Sequence, residues 1–189
     1  MFAFHKTKNN MKKILLLLLP AIILFACNNE KTSTETTTSD TTDKKNENLN
    51  LPYTLDRTPD WEKGDDAHVA LAMNTLRAFE VNDMNALQQY LADSVEFYAD
   101  NISFKGSKDS LVKLFTGFRN SMDTMYVKMQ DYESVKSKNR GEDWVSLWYV
   151  ETNTPKGGKT DSAMVMDDIK IVNGKVAVID SKARRLTKR

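Results

Sequence analysis

The sequence predicts an α+β domain in which a curved antiparallel sheet wraps around helices. Helical apolar periodicity is confined to residues 65–118 and is interrupted by one β-rich stretch. Four β-rich segments follow without a further helical pattern. Asn173-Gly174, between the last two segments, is a strong signal for a two-residue hairpin turn. Helices followed by a run of strands are typical of α+β folds.

Three helices are predicted from their capping residues and apolar stripes. Asp65-Asp66 precedes the first, Asn82-Asp83 the second and Ser107 the third, and Asp, Asn and Ser are favoured at helix N-termini. The stripes are, in order, Val69, Met73, Leu76 and Phe79; Met84, Leu87 and Leu91; and Leu111, Leu114, Phe115 and Phe118. The predicted strands are 93–99, 124–135, 144–152, 160–172 and 175–183.

The chain begins with the pattern of a secretory leader. Lys12-Lys13 precedes an apolar run over 14–25, which is shorter than the ~20 residues of a membrane-spanning helix. The following Ala26-Cys27 resembles the lipid-attachment site of bacterial lipoproteins, whose cysteine becomes the acylated mature N-terminus. Met11 is an alternative start codon. The alternative reading is an uncut anchor helix with an ordinary thiol at Cys27.

Three segments are predicted: a signal peptide over 1–26, a linker over 27–60 that begins with lipidated Cys27, and a folded domain over 61–189. The linker is rich in Ser and Thr. Such a composition buries too little apolar surface to offset ordering entropy, so we expect disorder. Asn28 after the cysteine is similar to the pattern of outer-membrane lipoproteins, with the periplasmic or surface-facing side left open.

Composition after processing excludes several functions. The leader carries four of the 27 basic residues and none of the 26 acidic ones, so the mature chain has 23 against 26 and a net charge of −3. This charge argues against nucleic-acid binding. One histidine, His68, and one cysteine remain, which argues against Cys/His metal sites and a cysteine nucleophile. No cofactor is expected.

Several segments resemble the nuclear transport factor 2-like superfamily, which includes SnoaL-like domains and ketosteroid isomerases. They are Ala78 to Asp83, Leu87, Leu91 to Val95, Gly106, Asp167 to Ile171 and Gly174 to Val176. The resemblance implies a cone-shaped sheet, three N-terminal helices and an apolar pocket. It is compatible with enzymes, binding proteins and non-catalytic homodimers.

Comparison with ketosteroid isomerases argues against their mechanism. The resemblance places Asp167 at the position where ketosteroid isomerases have the protonated acid that binds the oxyanion. The general base falls at Ala99, and the hydrogen-bonding tyrosine falls at Thr75. Two of the three functional positions therefore lack the required side chain.

The most specific chemical prediction is a pair of opposed carboxylates on the last hairpin. An uninterrupted register from Asn173-Gly174 places Asp167 opposite Asp180 on an apolar face. A buried pair at that distance would share a proton. The alternative is that both acids lie at the solvent-exposed end of the hairpin, where Lys182 or Arg184 neutralises them.

Aromatic side chains complete the predicted pocket. A four-residue loop at 155–158 would turn Trp144 and Trp148 towards the cavity with Phe97, whereas an odd loop length would turn them away. The alternative is that they are core residues without a ligand. Met164 and Met166 would lie on the outer sheet face, where homodimers often form in this superfamily.

The sequence supports three hypotheses about function. The first is a lipid-anchored envelope protein that binds a small apolar ligand without catalysis. The second is an isomerase, dehydratase or hydrolase that uses Asp167 and Asp180. The third is a structural dimerisation module in an envelope complex.

Overall fold

The structure is a computed structural model that describes residues 51–100 and 102–186. Cys27, the predicted signal peptide and most of the predicted linker lie outside these residues. The described residues from Tyr53 onward belong to one compact unit. No helix within the described ranges is long and apolar enough to cross a bilayer.

Three helices and seven strands make up the fold. In chain order they are β1 (Trp61–Lys63), α1 (Asp66–Glu80), α2 (Met84–Tyr90), β2 (Leu91–Ala99), β3 (Ile102–Ser107), α3 (Lys108–Asn120), β4 (Met122–Ser137), β5 (Asp143–Pro155), β6 (Asp161–Val172) and β7 (Lys175–Arg185). The predicted α+β class and the three helices are confirmed, whereas the short strands β1 and β3 were not predicted.

The predicted caps begin the helices. The side chains of Asp65, Asp83 and Ser107 accept hydrogen bonds from backbone amides in the first turns of α1, α2 and α3. The predicted two-residue turn is present: Asn173 and Gly174 have positive φ angles of 51° and 68°, as a type I′ hairpin turn requires. These signals are local, so they can be read directly from the sequence.

The strands form one curved sheet in the order β1-β4-β5-β6-β7-β2-β3. Its pairings are antiparallel except for β2 and β7, which run parallel. The helices cover one face, where buried side chains such as Leu87, Leu111, Val145 and Leu147 form the core. This arrangement places a cavity between the helices and the inner sheet face.

Candidate functional site

A cavity of about 240 Å³ lies between the three helices and the inner face of strands β2, β5, β6 and β7. Most of its lining is apolar. The lining residues are Thr75, Leu76, Phe79, Leu87, Phe97, Ala99, Phe115, Phe118, Met122, Tyr149, Glu151, Val165, Asp167, Ile169, Ile179, Ser181 and Ala183.

Packed phenylalanine rings form part of the cavity wall. Phe115 on α3 contacts Phe97 on β2 edge-to-face, with ring centroids 4.9 Å apart. It also contacts Phe79 on α1 at 5.0 Å. The predicted placement of Phe97 at the pocket agrees with this geometry. Because the three rings come from different elements, their packing fixes the helices against the sheet.

Asp167 is the most deeply buried acid of the cavity, with 5% of its surface exposed. Alternation along β6 turns Asp167 inward with Val165 and Ile169. The Tyr149 hydroxyl on β5 donates to Asp167 Oδ2 at 2.8 Å. Asp167 Oδ1 is buried and has no hydrogen-bond partner within the described ranges. One carboxyl oxygen is therefore held in place while the other remains unpaired.

The surroundings of Asp167 favour its neutral form. Burial raises the pKa of its carboxyl group, and the negative charge of Asp168 adds to the rise, whereas the hydroxyls of Ser181 and Tyr149 oppose it. Burial and the adjacent carboxylate also raise the pKa of Tyr149. Asp167 should therefore retain a proton at pH values where an exposed aspartate is ionised.

Glu151 is a second acid in the same cavity. It lies on β5 two residues beyond Tyr149 and therefore points to the same face. Burial raises its pKa, a hydrogen bond from the Asn153 side-chain amide opposes this rise, and the charge of Asp167 adds to it. Sequence analysis missed Glu151. The period-two spacing of Tyr149 and Glu151 would have identified it once the inward face of β5 was known.

The predicted pairing of Asp167 with Asp180 was wrong. Val176 pairs with Ile171 but Val178 pairs with Lys170, so Ala177 is an extra residue in β7. This bulge shifts the register by one residue. Asp180 therefore lies opposite Asp168 on the outer face, and Asp167 lies opposite Ser181.

Lys182 lies between the two outer-face acids. Its ammonium is 3.0 Å from Asp168 Oδ2 and 2.9 Å from Asp180 Oδ2. The alternative prediction, that Lys182 neutralises both Asp167 and Asp180, is right for Asp180 alone, because Asp167 is buried and Asp168 takes its place beside Lys182. Asp168 and Asp180 lie on the opposite sheet face from the cavity.

The predicted inward orientation of Trp144 and Trp148 was also wrong. Asn153 and Asp161 are the last pair of the β5–β6 ladder, and an odd number of residues, 154–160, lies between them. Leu147 and Tyr149 consequently face inward, and both tryptophans lie on the outer face. Trp144 contacts the Lys170 ammonium, 5.6 Å from the ring centroid. Neither tryptophan lines the cavity.

Of the other residues that the sequence analysis considered, Thr75 and Ala99 lie at the cavity and His68 does not. Thr75 and Ala99 both line the cavity, as the comparison with ketosteroid isomerases implies, but neither can act as tyrosine or general base. The Thr75 hydroxyl donates to the Leu71 carbonyl within α1. His68 lies outside the cavity, with Nδ1 3.7 Å from Asp143 Oδ1. In the described part of the chain, no three His, Cys, Asp or Glu side chains are grouped to hold a metal.

Solved structures share this architecture. An LEH-like epoxide hydrolase from M. tuberculosis is 12% identical, with a TM-score of 0.53 over 62% of this chain and 83% of that chain. AusH from Aspergillus nidulans is 15% identical, with a TM-score of 0.53 over 68% and 90%. An NTF2-like protein from Burkholderia xenovorans LB400 is 14% identical, with a TM-score of 0.50 over 65% and 93%.

These similarities show that the chain has the nuclear transport factor 2-like fold, as predicted. At such low identity they show the fold alone. No family model matches the sequence, and no curated protein is significantly similar to it.

Proposed function

We propose that the domain binds a small, largely apolar molecule and orients it through one polar group at Asp167. The observation that carries this proposal is the unpartnered Oδ1 of a buried carboxyl group in a mostly apolar cavity. An unpaired buried polar atom costs free energy, and a ligand that pairs with it removes that cost. An apolar cavity with few polar groups is the usual form of a small-molecule site.

The phenylalanine wall supplies affinity and the carboxyl group supplies orientation. Apolar ligand surface buried against Phe79, Phe97 and Phe115 contributes roughly 25 cal/mol per Å² before the entropy cost of association is subtracted. Tyr149 holds Oδ2, so Oδ1 is the atom available to the ligand.

Native mass spectrometry of the full chain purified from its own host tests this proposal. We expect a retained small molecule in the wild type and its loss in Ala99→Leu, which fills part of the cavity. Asp180→Asn, on the outer face, is the matched control and should retain the molecule. An empty wild-type protein that also binds no compound from an apolar library would contradict the proposal. The same spectra test the predicted homodimer through its mass.

A second candidate function is proton-transfer catalysis. Asp167 and Glu151 line one cavity, and burial raises the pKa of both. Pairs of acids with perturbed pKa values are common at catalytic sites, where one group donates a proton and the other accepts it. Recovery of the retained molecule unchanged after prolonged incubation supports binding, whereas its conversion by wild type but not by Glu151→Gln supports catalysis.

We also propose that the domain is carried by an outer-membrane lipoprotein. The support is sequence alone: the basic start, the short apolar run and Ala26-Cys27. Lipoprotein cysteines carry several acyl chains, and more than one chain is needed for stable anchoring. If this proposal is right, the domain and its cavity lie either in the periplasm or outside the cell.

A further inference from the structure

We infer that the cavity selects a small organic cation, an alkylammonium whose N–H group donates to Asp167. This inference rests on the proposed binding function and specifies its ligand class. The observations are the two acids of the cavity, its aromatic wall and the absence of a basic side chain among the described lining residues.

The acidic groups provide acceptors for an ammonium. Asp167 Oδ1 is buried and unpartnered, so it can accept a hydrogen bond from a ligand without breaking an existing one. Glu151 lines the same cavity and interacts electrostatically with Asp167. A carboxylate ligand would meet two acids and no compensating cation, so the same arrangement disfavours anions.

The aromatic groups favour a cation independently of the acids. Phe79, Phe97, Phe115, Phe118 and Tyr149 all line the cavity. An ammonium near an aromatic face is attracted by the ring quadrupole, most strongly when it is removed from water. Their hydrocarbon surface also accommodates the alkyl portion of the ligand.

Binding is coupled to proton release. The empty cavity favours neutral Asp167, because burial raises the pKa of that carboxyl group. When the ammonium enters, the carboxyl group loses its proton to solvent and becomes the ligand's counter-ion. The other groups near Asp167 are Tyr149 and Glu151 on β5, Asp168 on its own strand and Ser181 and Lys182 on β7. The lining residues from the helices carry no titratable group.

A matched ligand series tests the inference with the full chain. Cyclohexylmethylammonium, cyclohexylmethanol and cyclohexanecarboxylate share one hydrocarbon tail and differ in charge. Isothermal titration calorimetry in buffers of different ionisation enthalpy gives both the affinity and the number of protons released. We expect the ammonium to bind at least about tenfold more tightly than the alcohol. Its affinity should rise by about tenfold per pH unit while one proton is released.

Variants assign the effect to Asp167. Asp167→Asn should lose about tenfold or more of the ammonium affinity together with proton release, while alcohol binding persists. Asp180→Asn is the matched control and should behave like wild type. If Asp167→Asn does not fold, the pH dependence and proton release of the wild type still decide the question.

The possible results separate this inference from the proposed function. Equal or tighter binding of the alcohol or the carboxylate, or ammonium binding without proton release, would overturn the cation assignment and leave the binding function standing. Failure of all three compounds to bind would overturn the cation assignment, and it would contradict the proposed function as well if the protein from its own host also carries no retained molecule.

Discussion

At the level of single residues, burying the carboxyl group of Asp167 in the folded protein costs free energy. A carboxyl group in an apolar cavity either retains its proton or requires a charged partner. The Tyr149 hydroxyl donates to Asp167 Oδ2, the Ser181 hydroxyl also interacts with the carboxyl group, and Oδ1 has no hydrogen-bond partner within the described residues. The proposed ligand removes this cost by pairing with the free oxygen.

Asp167→Asn should preserve or increase stability at neutral pH and flatten its pH dependence. The pKa of Asp167 is raised in the folded state, so the unfolded chain, with a pKa of about 3.9, releases the proton first. The favourable contribution of the neutral acid is fully present below the unfolded pKa and is lost as pH rises through the folded pKa.

Urea unfolding of both proteins from about pH 4 to pH 8 measures this difference. The stability of the wild type relative to the variant should fall as pH rises. A difference that is constant across this range would show that Asp167 has an ordinary pKa in the folded protein.

At the scale of elements, the bulge in β7 decides which acid enters the cavity. Ala177 shifts the register, so that Ile179 and Ser181 face inward and Asp180 faces outward. The inward face of β7 is therefore set by one extra residue.

Deleting Ala177 should leave the inward face of β7 unchanged. Without the extra residue, Val176 and Val178 become neighbours that still pair with Ile171 and Lys170, so Ile179 stays inward and Asp180 stays outward. Chemical denaturation of the deletion variant and the wild type measures any difference in stability, with Ala177→Ser, which keeps the extra residue, as the control. A loss of the ~1.5–3 kcal/mol that burying an isoleucine side chain contributes would show that the register had changed and would contradict the role assigned to the bulge.

The same bulge explains what the sequence could and could not predict. The caps at Asp83 and Ser107 and the turn at Asn173-Gly174 depend on neighbouring residues, so they were predicted correctly. The inward faces of β5 and β7 depend on loop parity and on an extra residue that has no local signature. The parallel pairing of β2 with β7 joins segments far apart in the chain, and periodicity carries no information about it.

At the scale of the whole molecule, Asp60 ties the start of the domain to the turn between β4 and β5. Asp60 Oδ2 accepts from the Ser137 hydroxyl at 2.7 Å and from the Asn139 amide at 2.8 Å. Its Oδ1 lies 3.1 Å from the Arg140 guanidinium. These contacts move the expected start of the folded unit to Asp60 or earlier.

Truncation tests this boundary. A chain starting at Tyr53 should melt within about two degrees of the mature protein, whereas a chain starting at Trp61 should melt at a lower temperature because it lacks Asp60. Calorimetry of both chains measures the difference. Equal melting temperatures would show that the Asp60 contacts add no stability.

The proposed anchor is also a property of the whole chain. Cys27→Ala removes the atom that would be acylated, so we expect the variant to leave the membrane fraction or remain unprocessed. Cell fractionation and mass spectrometry of the intact protein test this, with Cys27→Ser as a second variant lacking the thiol. Lipid anchoring would be contradicted if both variants stayed in the membrane fraction and the wild-type protein carried no added acyl mass.

The proposed function and the cation inference both depend on Asp167 being a buried acid that retains its proton. The most direct measurement is carbon NMR titration of its carboxyl carbon in the wild-type protein, with Asp167→Asn used to assign the signal. We expect a midpoint well above the ~4 of an exposed aspartate. We also expect the midpoint to fall when cyclohexylmethylammonium binds. A midpoint near 4 that does not change with the ammonium would show that Asp167 neither retains its proton nor pairs with the cation.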